Sequence, residues 1–273
     1  MTTLFNDNYG ELNEALEKRG FCTTSLLDAS SIEKLLNIYN TNTPSNMSGF
    51  HPTMFHENEE YRMKMNDAIV AELNKALYSF LGNQYEILYG NFMVKEPGEE
   101  SVMKIHQDWT YVDETKNNSF AIWVPLCNLT TQNGAFHVVP YSHNSKNLQR
   151  GPGTHCPFFE HREIIEEKFS NPLYLKAGEA VCWNHRLAHY SPSNLSEKPR
   201  IAVTVIIVPK NKEIIHFYKS DNIDLLECFS INKSFFFKYK IGFRPTFDCR
   251  LIFKENYNKI NDYNELKALN LFC

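Results

Sequence analysis

One histidine in the chain, His106, is followed two positions later by a carboxylate, Asp108. Residues two apart on a β-strand project to the same side, so a strand here would present an imidazole and a carboxylate together. Two such groups make half of the two-histidine, one-carboxylate face that binds non-haem Fe(II) and leaves coordination positions open. A His-x-Asp pair also arises by chance in a chain of this length, so a metal site needs a third ligand elsewhere.

Further candidate residues lie later in the chain. His189, within residues 187–194, can complete the metal face when a sheet closes. Arg200 stands at the head of the apolar run of residues 201–208, where its guanidinium can point into the same cavity. A buried guanidinium needs an anionic partner, and a dicarboxylate co-substrate supplies one through a bidentate, charge-assisted pair. The alternative is an ordinary ion pair with a nearby glutamate such as Glu197.

The composition is that of a folded globular protein. The 273 residues are 42% hydrophobic and 14% aromatic, and these residues run through the whole length, which excludes disorder as the dominant state. The longest aliphatic runs have the length of a strand and fall short of the roughly 20 apolar residues that a membrane-spanning helix needs. The first seven residues contain neither a basic nor an apolar leader segment, which predicts no secretory signal and no membrane partner.

Net charge and cysteine usage limit the possible binding partners and the expected location of the protein. The net charge of −4 and the lack of a Lys/Arg run argue against nucleic acid, which leaves a small molecule as the expected partner. The seven cysteines are odd in number, scattered, and include no C-x-x-C pair. This usage is typical of reduced thiols and predicts a cytoplasmic location rather than a disulfide-bonded or structural-zinc protein.

The N-terminal part of the chain is predicted to be helical with one extended segment, residues 21–27. A short amphipathic helix precedes this segment and ends at Gly20, a residue suited to a C-cap. A second helix follows Asp28, which can cap its N-terminus. A third, longer helix is predicted over residues 59–81, where apolar residues recur at helical spacing.

From residue 85 the apolar pattern changes from helical to strand-like. Apolar runs of strand length alternate with turn signals such as Pro97-Gly98 and Asn133-Gly134. Many short strands of this kind predict a mainly β fold with flanking helices, namely a jelly roll, the double-stranded β-helix of cupin-like proteins. Residues 1–273 are predicted to form a single domain, which consists of a helical part (1–84), the jelly-roll core (85–208) and a C-terminal extension that wraps the sheet (209–273).

Short motifs occur in order over residues 85–208: FMVKEPG (92–98), HQDW (106–109), WVPL (123–126), NGAF (133–136), VVPYSH (138–143) and H-x-S-x-x-N (189–194), followed by Arg200. These motifs resemble those of the phytanoyl-CoA dioxygenase family of Fe(II)- and 2-oxoglutarate-dependent oxygenases. The motifs occur in the family's order, and together they are specific, although each alone is not. The early segments Gly20-Phe21 and Leu26-Leu27 are similar to the start of the family's fold.

The resemblance implies an oxidoreductase that uses Fe(II), 2-oxoglutarate and O2 and releases succinate and CO2. Hydroxylation of an unactivated C–H bond of a small molecule is the favoured outcome, because related halogenases have a small residue where this chain has Asp108. Desaturation, epimerisation and cyclisation use the same ligands and stay open. The iron ligands, which are also the catalytic residues, would be His106, Asp108 and His189.

The resemblance also implies a co-substrate pocket. Arg200 would hold the distal carboxylate of 2-oxoglutarate with the help of Ser191. Trp123 matches a position that lines this pocket, and Lys95 stands where the family often has a polar residue near it. Residue 141 is Tyr where the family usually has Gly, a departure that concerns the local turn and not the iron site.

The candidate substrate residues lie close to the metal ligands or in the N-terminal part. Trp109 and Tyr111 follow the ligand strand, and alternate positions place them toward the mouth of the barrel. Phe50 and His51 belong to a loop region that in such folds often covers the mouth. Packing in the core is the alternative for all four. No basic cluster for a CoA phosphate is present, so a small polar metabolite, an amino acid or a carrier-bound intermediate is the working hypothesis.

Three other classes of protein are compatible with parts of this pattern. A non-catalytic cupin-like binding protein would lack a metal ligand or the arginine. A cupin-type metal enzyme that works without 2-oxoglutarate tends to use three or four histidines and has no need of Arg200. A zinc hydrolase would use the carboxylate and imidazoles to activate water, but the strand pattern and the arginine argue against it. Binding of 2-oxoglutarate discriminates all three from the oxygenase.

Overall fold

The structure is a computed structural model that describes residues 3–44, 47–145, 149–219 and 225–254. No helix within these ranges is long and apolar enough to span a bilayer. The helices and strands in chain order are α1 (Gly10–Arg19), β1 (Phe21–Ser25), α2 (Ala29–Asn42), β2 (Phe50–Pro52), α3 (Glu59–Leu77), β3 (Tyr85–Lys95), β4 (Met103–His106), β5 (Phe120–Pro125), β6 (Phe136–Val138), α4 (Arg162–Lys168), β7 (Asn171–Leu173), β8 (Glu179–Asn184), β9 (His189–Ser191), β10 (Arg200–Pro209), β11 (Ile214–Lys219), β12 (Leu225–Ile231), α5 (Phe235–Lys238) and β13 (Leu251–Lys254).

Two antiparallel sheets enclose the centre of the molecule. The larger sheet has the strand order β1-β8-β5-β10-β3-β2, and the smaller one has the order β4-β9-β6-β7. Their inner faces share one hydrophobic cluster, in which Phe136 of β6 packs with Trp123 of β5 and Trp183 of β8. This is the jelly roll that the strand pattern predicts.

The first three helices cover the outer face of the larger sheet. A second hydrophobic cluster joins Leu35 of α2 and Ile69 of α3 to Phe92 of β3. A Cβ atom on Gly90 would lie 2.7 Å from the Ile69 side chain, so the absence of a side chain there lets α3 lie close against β3. The helices thus hold the sheet in place while its inner face remains available for a site.

The predicted starts and ends of the helices are confirmed with one exception. Helix α1 ends at Gly20, which has φ +84°, and the Asp28 carboxylate accepts a 2.8 Å hydrogen bond from the Ser31 amide at the start of α2. Helix α3 ends at Leu77 instead of residue 81. Residues after Leu77 leave the helix because the Gly82 amide donates to the carbonyl of Leu4, which draws this stretch toward the N-terminal segment.

Tyr141 adopts a left-handed backbone conformation, with φ +67°. Glycine takes this conformation without steric cost, whereas a side chain disfavours it, which accounts for the usual glycine of the family at this position. The Tyr141 amide donates a 3.0 Å hydrogen bond to the carbonyl of Arg19 and so ties the turn after β6 to the end of α1. The departure from the family pattern therefore keeps the tight turn and leaves the sheets undisturbed.

The described part of the C-terminal extension forms a third sheet, β11-β12-β13, and the short helix α5. Phe236 of α5 packs on the ring of Tyr89 with centroids 4.5 Å apart, which places the extension directly against the inner face of β3. The buried Arg62 of α3 donates to the carbonyl of Phe237 and anchors the same segment from the other side. Residues 220–224 and 255–273 of the predicted extension lie outside the described residues.

Acid should destabilise the fold through buried histidines such as His216 of β11. This residue is 2% exposed, its ring lies between those of Trp109 and Phe235, and burial lowers its pKa to about 4. The unfolded chain has a histidine pKa of about 6.5 and binds more protons between these two values, so the free energy of unfolding should fall as the pH drops from about 6.5 to 4, by on the order of 3 kcal/mol for His216.

Urea unfolding of the wild type and of His216→Gln at pH 7.5 and pH 4.5 measures this effect. The variant should lose less stability on acidification than the wild type does. His161→Gln, which removes a partly exposed histidine, serves as the control and should follow the wild type. Equal acid sensitivity of wild type and His216→Gln would contradict the assignment.

Candidate active site

Three potential metal ligands converge where β4 and β9 pair. His106 and His189 are direct partners in this antiparallel ladder, and their ring centroids are 4.2 Å apart. The Asp108 Oδ1 atom lies 3.9 Å from Nε2 of His106 and 3.8 Å from Nε2 of His189. The three ligand atoms all lie within 4.8 Å of one another. Two imidazoles and one carboxylate on a single face are the donor set of a non-haem iron site.

Both histidine rings are held in the tautomer that a metal requires. Nδ1 of His106 donates a 2.8 Å hydrogen bond to the carbonyl of Lys104, and Nδ1 of His189 donates a 2.9 Å bond to the carbonyl of Leu187. A carbonyl only accepts, so Nδ1 carries the proton and the Nε2 lone pair faces the other ligands. Burial, together with the neighbouring His189, lowers the pKa of His106 to about 4, which keeps this imidazole neutral near pH 7.

Asp108 reaches the site from a loop and not from a strand. Strand β4 ends at His106, so the expectation that His106 and Asp108 project from one strand by simple alternation is wrong. The indole N–H of Trp183 donates a 2.7 Å hydrogen bond to Oδ2 of Asp108, and Nε of Arg150 donates a 2.6 Å bond to its main-chain carbonyl. These two contacts orient the carboxylate and leave Oδ1 directed at the histidines.

Arg150 is a supporting residue that sequence reasoning missed. Its guanidinium forms two 2.8 Å hydrogen bonds with the carboxylate of Glu114, and both side chains are almost fully buried. The pair spans 36 residues of sequence and lies in irregular chain on both sides, so neither spacing nor periodicity could have indicated it. Because Arg150 also binds the Asp108 carbonyl, this buried ion pair fixes the loop that carries the metal carboxylate.

Trp183→Phe should weaken metal binding without unfolding the protein. The substitution keeps an aromatic ring in the cluster but removes the hydrogen bond to Asp108 Oδ2. Loss of such a partner of a metal ligand typically costs 10–100-fold in metal affinity, so a loss of about that size is expected. Metal titration by calorimetry measures it, with Trp123→Phe as a control that removes an indole N–H from the same cluster without touching Asp108. Unchanged affinity in Trp183→Phe would show that the hydrogen bond does not support the ligand.

Arg200 is buried without a carboxylate partner. It is 2% exposed, its Nη1 donates a 2.7 Å hydrogen bond to the carbonyl of Gly134, and its Nε has no partner. Within the part of the chain that the structure describes, no acidic side chain pairs with Arg200, and Glu197 is exposed. Burial lowers the pKa of Arg200 to about 10, so the guanidinium is still charged near pH 7. The site therefore holds a cation with unused donors.

Of the other predicted co-substrate residues, two lie in the cavity and one does not. Trp123 and Ser191 line the cavity, and the guanidinium carbon of Arg200 lies 5.3 Å from the Trp123 ring centroid. Lys95 is fully buried outside the cavity, where its ammonium donates to three carbonyls, those of Ser101, Ser191 and Pro192. These carbonyls take up the hydrogen-bonding capacity of the Lys95 amino group, and its predicted contact with the co-substrate stays a prediction.

Three of the four predicted substrate residues line the cavity, and one does not. Trp109, Tyr111 and Phe50 line the cavity, and the hydroxyl of Tyr111 is hydrogen-bonded to that of Tyr89 at 2.8 Å. His51 does not line it, because adjacent residues of β2 point to opposite faces of the sheet. Its Nε2 instead lies 3.0 Å from the hydroxyl of Tyr39. The structure therefore places His51 off the cavity wall, and its predicted contact with substrate stays a prediction.

The candidate metal ligands and Arg200 open into one cavity of about 170 Å³. The inner face of β3 contributes Tyr89, Asn91 and Met93, which the sequence analysis did not single out. Their spacing of two marks one face of a strand, but the sequence does not show which face is turned inward. Asn91 is 5% exposed, and its side-chain oxygen has no protein partner. Other wall residues missed from the sequence are Pro52, Met54, Phe55, Met103, Ala121, Thr204, Ile206 and Ile241.

Comparison with known sequences identifies the family. The sequence profile of the phytanoyl-CoA dioxygenase (PhyH) family matches residues 34–202, more than half of the chain. The chain belongs to the phytanoyl-CoA dioxygenase family. A phytanoyl-CoA dioxygenase domain-containing protein 1 homolog of Dictyostelium discoideum is 26% identical over 178 residues, which cover 61% of this chain and 58% of the homolog. The phytanoyl-CoA dioxygenase of Arabidopsis thaliana is 26% identical over 125 residues, 45% of this chain and 44% of that protein. The chain thus spans about half the length of the curated relatives it matches.

Solved structures of similar shape confirm the fold. EvdO2 from Micromonospora carbonacea var. aurantiaca is 18% identical, with 76% of this chain and 94% of that chain covered and a TM-score of 0.53. The alpha-ketoglutarate-dependent carbocyclase SnoK from nogalamycin biosynthesis is 14% identical, with 78% and 89% covered and a TM-score of 0.52. HygX from Streptomyces hygroscopicus, crystallised with nickel, 2-oxoglutarate and hygromycin B, is 14% identical, with 74% and 87% covered and a TM-score of 0.51. At these identities the likeness shows a shared jelly-roll fold.

Proposed function

We propose that this PhyH-family chain is an Fe(II)- and 2-oxoglutarate-dependent dioxygenase that hydroxylates a C–H bond of a small molecule. The observation that carries the proposal is the presence, in one cavity, of a metal-ligand face and a buried arginine that lacks a carboxylate partner. A metal-binding protein without 2-oxoglutarate has no use for such an arginine. The proposed catalytic domain includes the helical part, the jelly roll and the described extension, since α3, β3 and α5 pack together.

The ligand face fits a divalent iron ion. His106, Asp108 and His189 supply two imidazole nitrogens and one carboxylate oxygen from a single side, which leaves the opposite side for exogenous ligands. When bound there with 2-oxoglutarate, Fe(II) supplies the activation of O2 and the oxidation of a C–H bond, with succinate and CO2 as co-products. The protein contributes neutral, oriented imidazoles and a carboxylate fixed by Trp183 and Arg150.

The far end of the cavity fits the dicarboxylate. Arg200 has a free Nε and a guanidinium fork, and a carboxylate can receive two parallel hydrogen bonds from such a fork. The Trp123 ring lies against the guanidinium and restricts its orientation, while Ser191 lines the same region. We assign Arg200, Ser191 and Trp123 to 2-oxoglutarate. Lys95 supports the site indirectly, because its hydrogen bonds to the carbonyls of Ser191 and Pro192 hold the end of β9, the strand that begins at His189.

Aromatic rings line one side of the reacting centre. The centroid of the Phe136 ring lies 5.3 Å from that of Trp123 and 5.0 Å from that of Trp183. The same ring stacks on the imidazole of His189. An apolar wall strengthens the electrostatic interactions beside it. Trp109, Tyr111 and Phe50 face the open part of the cavity, where we place the substrate.

Anaerobic titration of the purified protein with Fe(II) and then 2-oxoglutarate tests the proposal. Chelation of the co-substrate by iron at a three-ligand site should produce a weak metal-to-ligand charge-transfer band at about 500 nm. Appearance of the band, and its loss in Arg200→Ala, supports the assignment of both the iron and the co-substrate site. Iron binding without a band would favour a cupin-type enzyme that does not use 2-oxoglutarate. Failure to bind either would indicate a non-catalytic binding protein.

A further inference from the structure

The wall of the active-site cavity carries few charges. Of the side chains that line it in the described chain, only His106, Asp108, His189 and Arg200 are acidic, basic or imidazole groups, and no lysine is among them. The proposed function, on which this inference rests, uses all four. The two positive charges of Fe(II) and the one of Arg200 balance the negative charges of Asp108 and of a bound dicarboxylate. The charges of the described wall groups, the ion and the co-substrate therefore sum to zero before any substrate enters.

The remaining wall is formed mainly by flexible or aromatic apolar side chains. Met54, Met93 and Met103 lie on three different elements around the cavity, and the Trp109 ring faces that of Phe55 with centroids 6.4 Å apart. Methionine side chains adapt to irregular apolar shapes and suit a surface that receives a hydrophobic molecule. Phe55 is 48% exposed although it borders the cavity, so an apolar ring is available at the entrance.

Most of the uncharged polar groups in the wall already have protein partners. The hydroxyls of Tyr89 and Tyr111 bond to each other, the Gln107 amide bonds to Ser145, and the Thr204 hydroxyl bonds to a main-chain carbonyl. Asn91 differs, because its side-chain oxygen has no protein partner. A neutral hydroxyl or N–H of a bound molecule could satisfy it, whereas a charged group in this wall would have no counter-charge and would be strongly disfavoured.

We infer that the part of the substrate that enters the cavity is uncharged and largely apolar, an alkyl, alicyclic or aromatic body that bears at most neutral polar groups. The charge balance disfavours a carboxylate, phosphate or ammonium group against the described wall of the cavity. This replaces the sequence-based hypothesis of a small polar metabolite for the portion that reaches the iron.

Binding of N-phenyl-1-naphthylamine, a neutral dye whose fluorescence rises in apolar surroundings, tests this inference on the full chain. The dye should bind the protein in the presence of Fe(II) and 2-oxoglutarate under nitrogen. Met93→Lys, which adds a cation to the cavity wall, should weaken dye binding at least tenfold. Met63→Lys on α3 is the matched control, since Met63 is 43% exposed and is not among the residues that line the cavity, and it should bind the dye as the wild type does.

Displacement of the dye by a matched pair of ligands tests the charge directly. Cinnamyl alcohol should displace the dye at a concentration at least tenfold lower than cinnamate, which has the same skeleton and one negative charge. Equal or better displacement by cinnamate would overturn the inference, as would full dye affinity in Met93→Lys. If circular dichroism shows that Met93→Lys does not fold, Met93→Gln replaces it with an expected loss of about threefold or more, and an unchanged affinity overturns the inference.

The same measurements separate this inference from the proposed function. Dye binding is also recorded without metal or co-substrate, while the band at about 500 nm reports only on iron and 2-oxoglutarate. Dye binding with the expected selectivity but no band would refute the proposed function and leave the apolar preference of the cavity standing. A band without selective dye binding would refute the inference and leave the oxygenase assignment standing.

Discussion

Asp108→Ala should abolish turnover and reduce metal affinity more than about 100-fold, because even the loss of a residue that only supports a ligand costs 10–100-fold. The fold should survive, since the Asp108 side chain lies at the cavity and outside the hydrophobic clusters. His106→Ala and His189→Ala should behave in the same way. Metal content after dialysis and succinate release during turnover measure the two losses, and circular dichroism reports the fold.

Asp113→Ala provides a matched control for this prediction. Asp113 is an exposed aspartate in the same loop, where its carboxylate bonds to Thr115 and Lys116. Its removal should leave metal affinity and turnover at the level of the wild type. If Asp108→Ala retained turnover, the metal face would have to be assigned to other residues.

Arg200→Met should weaken 2-oxoglutarate binding by ~30-fold or more while metal affinity stays the same. The estimate follows from the ~2 kcal/mol or more that is lost when one partner of a buried, hydrogen-bonded charge pair is truncated. Methionine retains much of the length of the side chain, so packing against Trp123 is largely kept. Titration of the charge-transfer band with 2-oxoglutarate gives the affinity directly.

Two further variants make the Arg200 result specific. Arg162→Met removes an exposed arginine of α4, which pairs with Glu163, and should leave the titration unchanged. Arg200→Lys keeps a positive charge but loses the planar fork, so its affinity should lie between those of wild type and Arg200→Met. An unchanged affinity in Arg200→Met would place the co-substrate anchor elsewhere in the cavity.

Patterns that depend on local chemistry were predictable from the sequence. The period of apolar residues located β3, β5, β8 and β10, because buried strands of a closed sheet need continuous or alternating apolar side chains. Helix ends followed from Gly20 and Asp28, whose roles rest on backbone freedom and a capping carboxylate. Strand β2 was missed because three residues, one of them proline, carry too little periodicity to indicate an edge strand.

The support of the site depended on tertiary contacts that no local pattern encodes. The position of Asp108 beyond the end of β4 is set by Arg150 and Trp183, which come from distant parts of the chain. Lys95 is of a residue type that often binds anionic ligands. Its Nζ instead donates hydrogen bonds to three carbonyls that folding brings together. His51 faces away from the cavity because of the register of β2, which the sequence does not determine.

Folding itself assembles the proposed metal centre. Each ligand imidazole is bonded to a carbonyl two residues earlier in its own segment, and strand pairing sets the two rings side by side. The conformational entropy of these side chains is therefore lost before a metal ion arrives, so capture of the ion requires little rearrangement of the protein. A chelator should then remove the metal and leave a folded protein that can bind metal again. A zinc finger, in contrast, unfolds when its ion is removed.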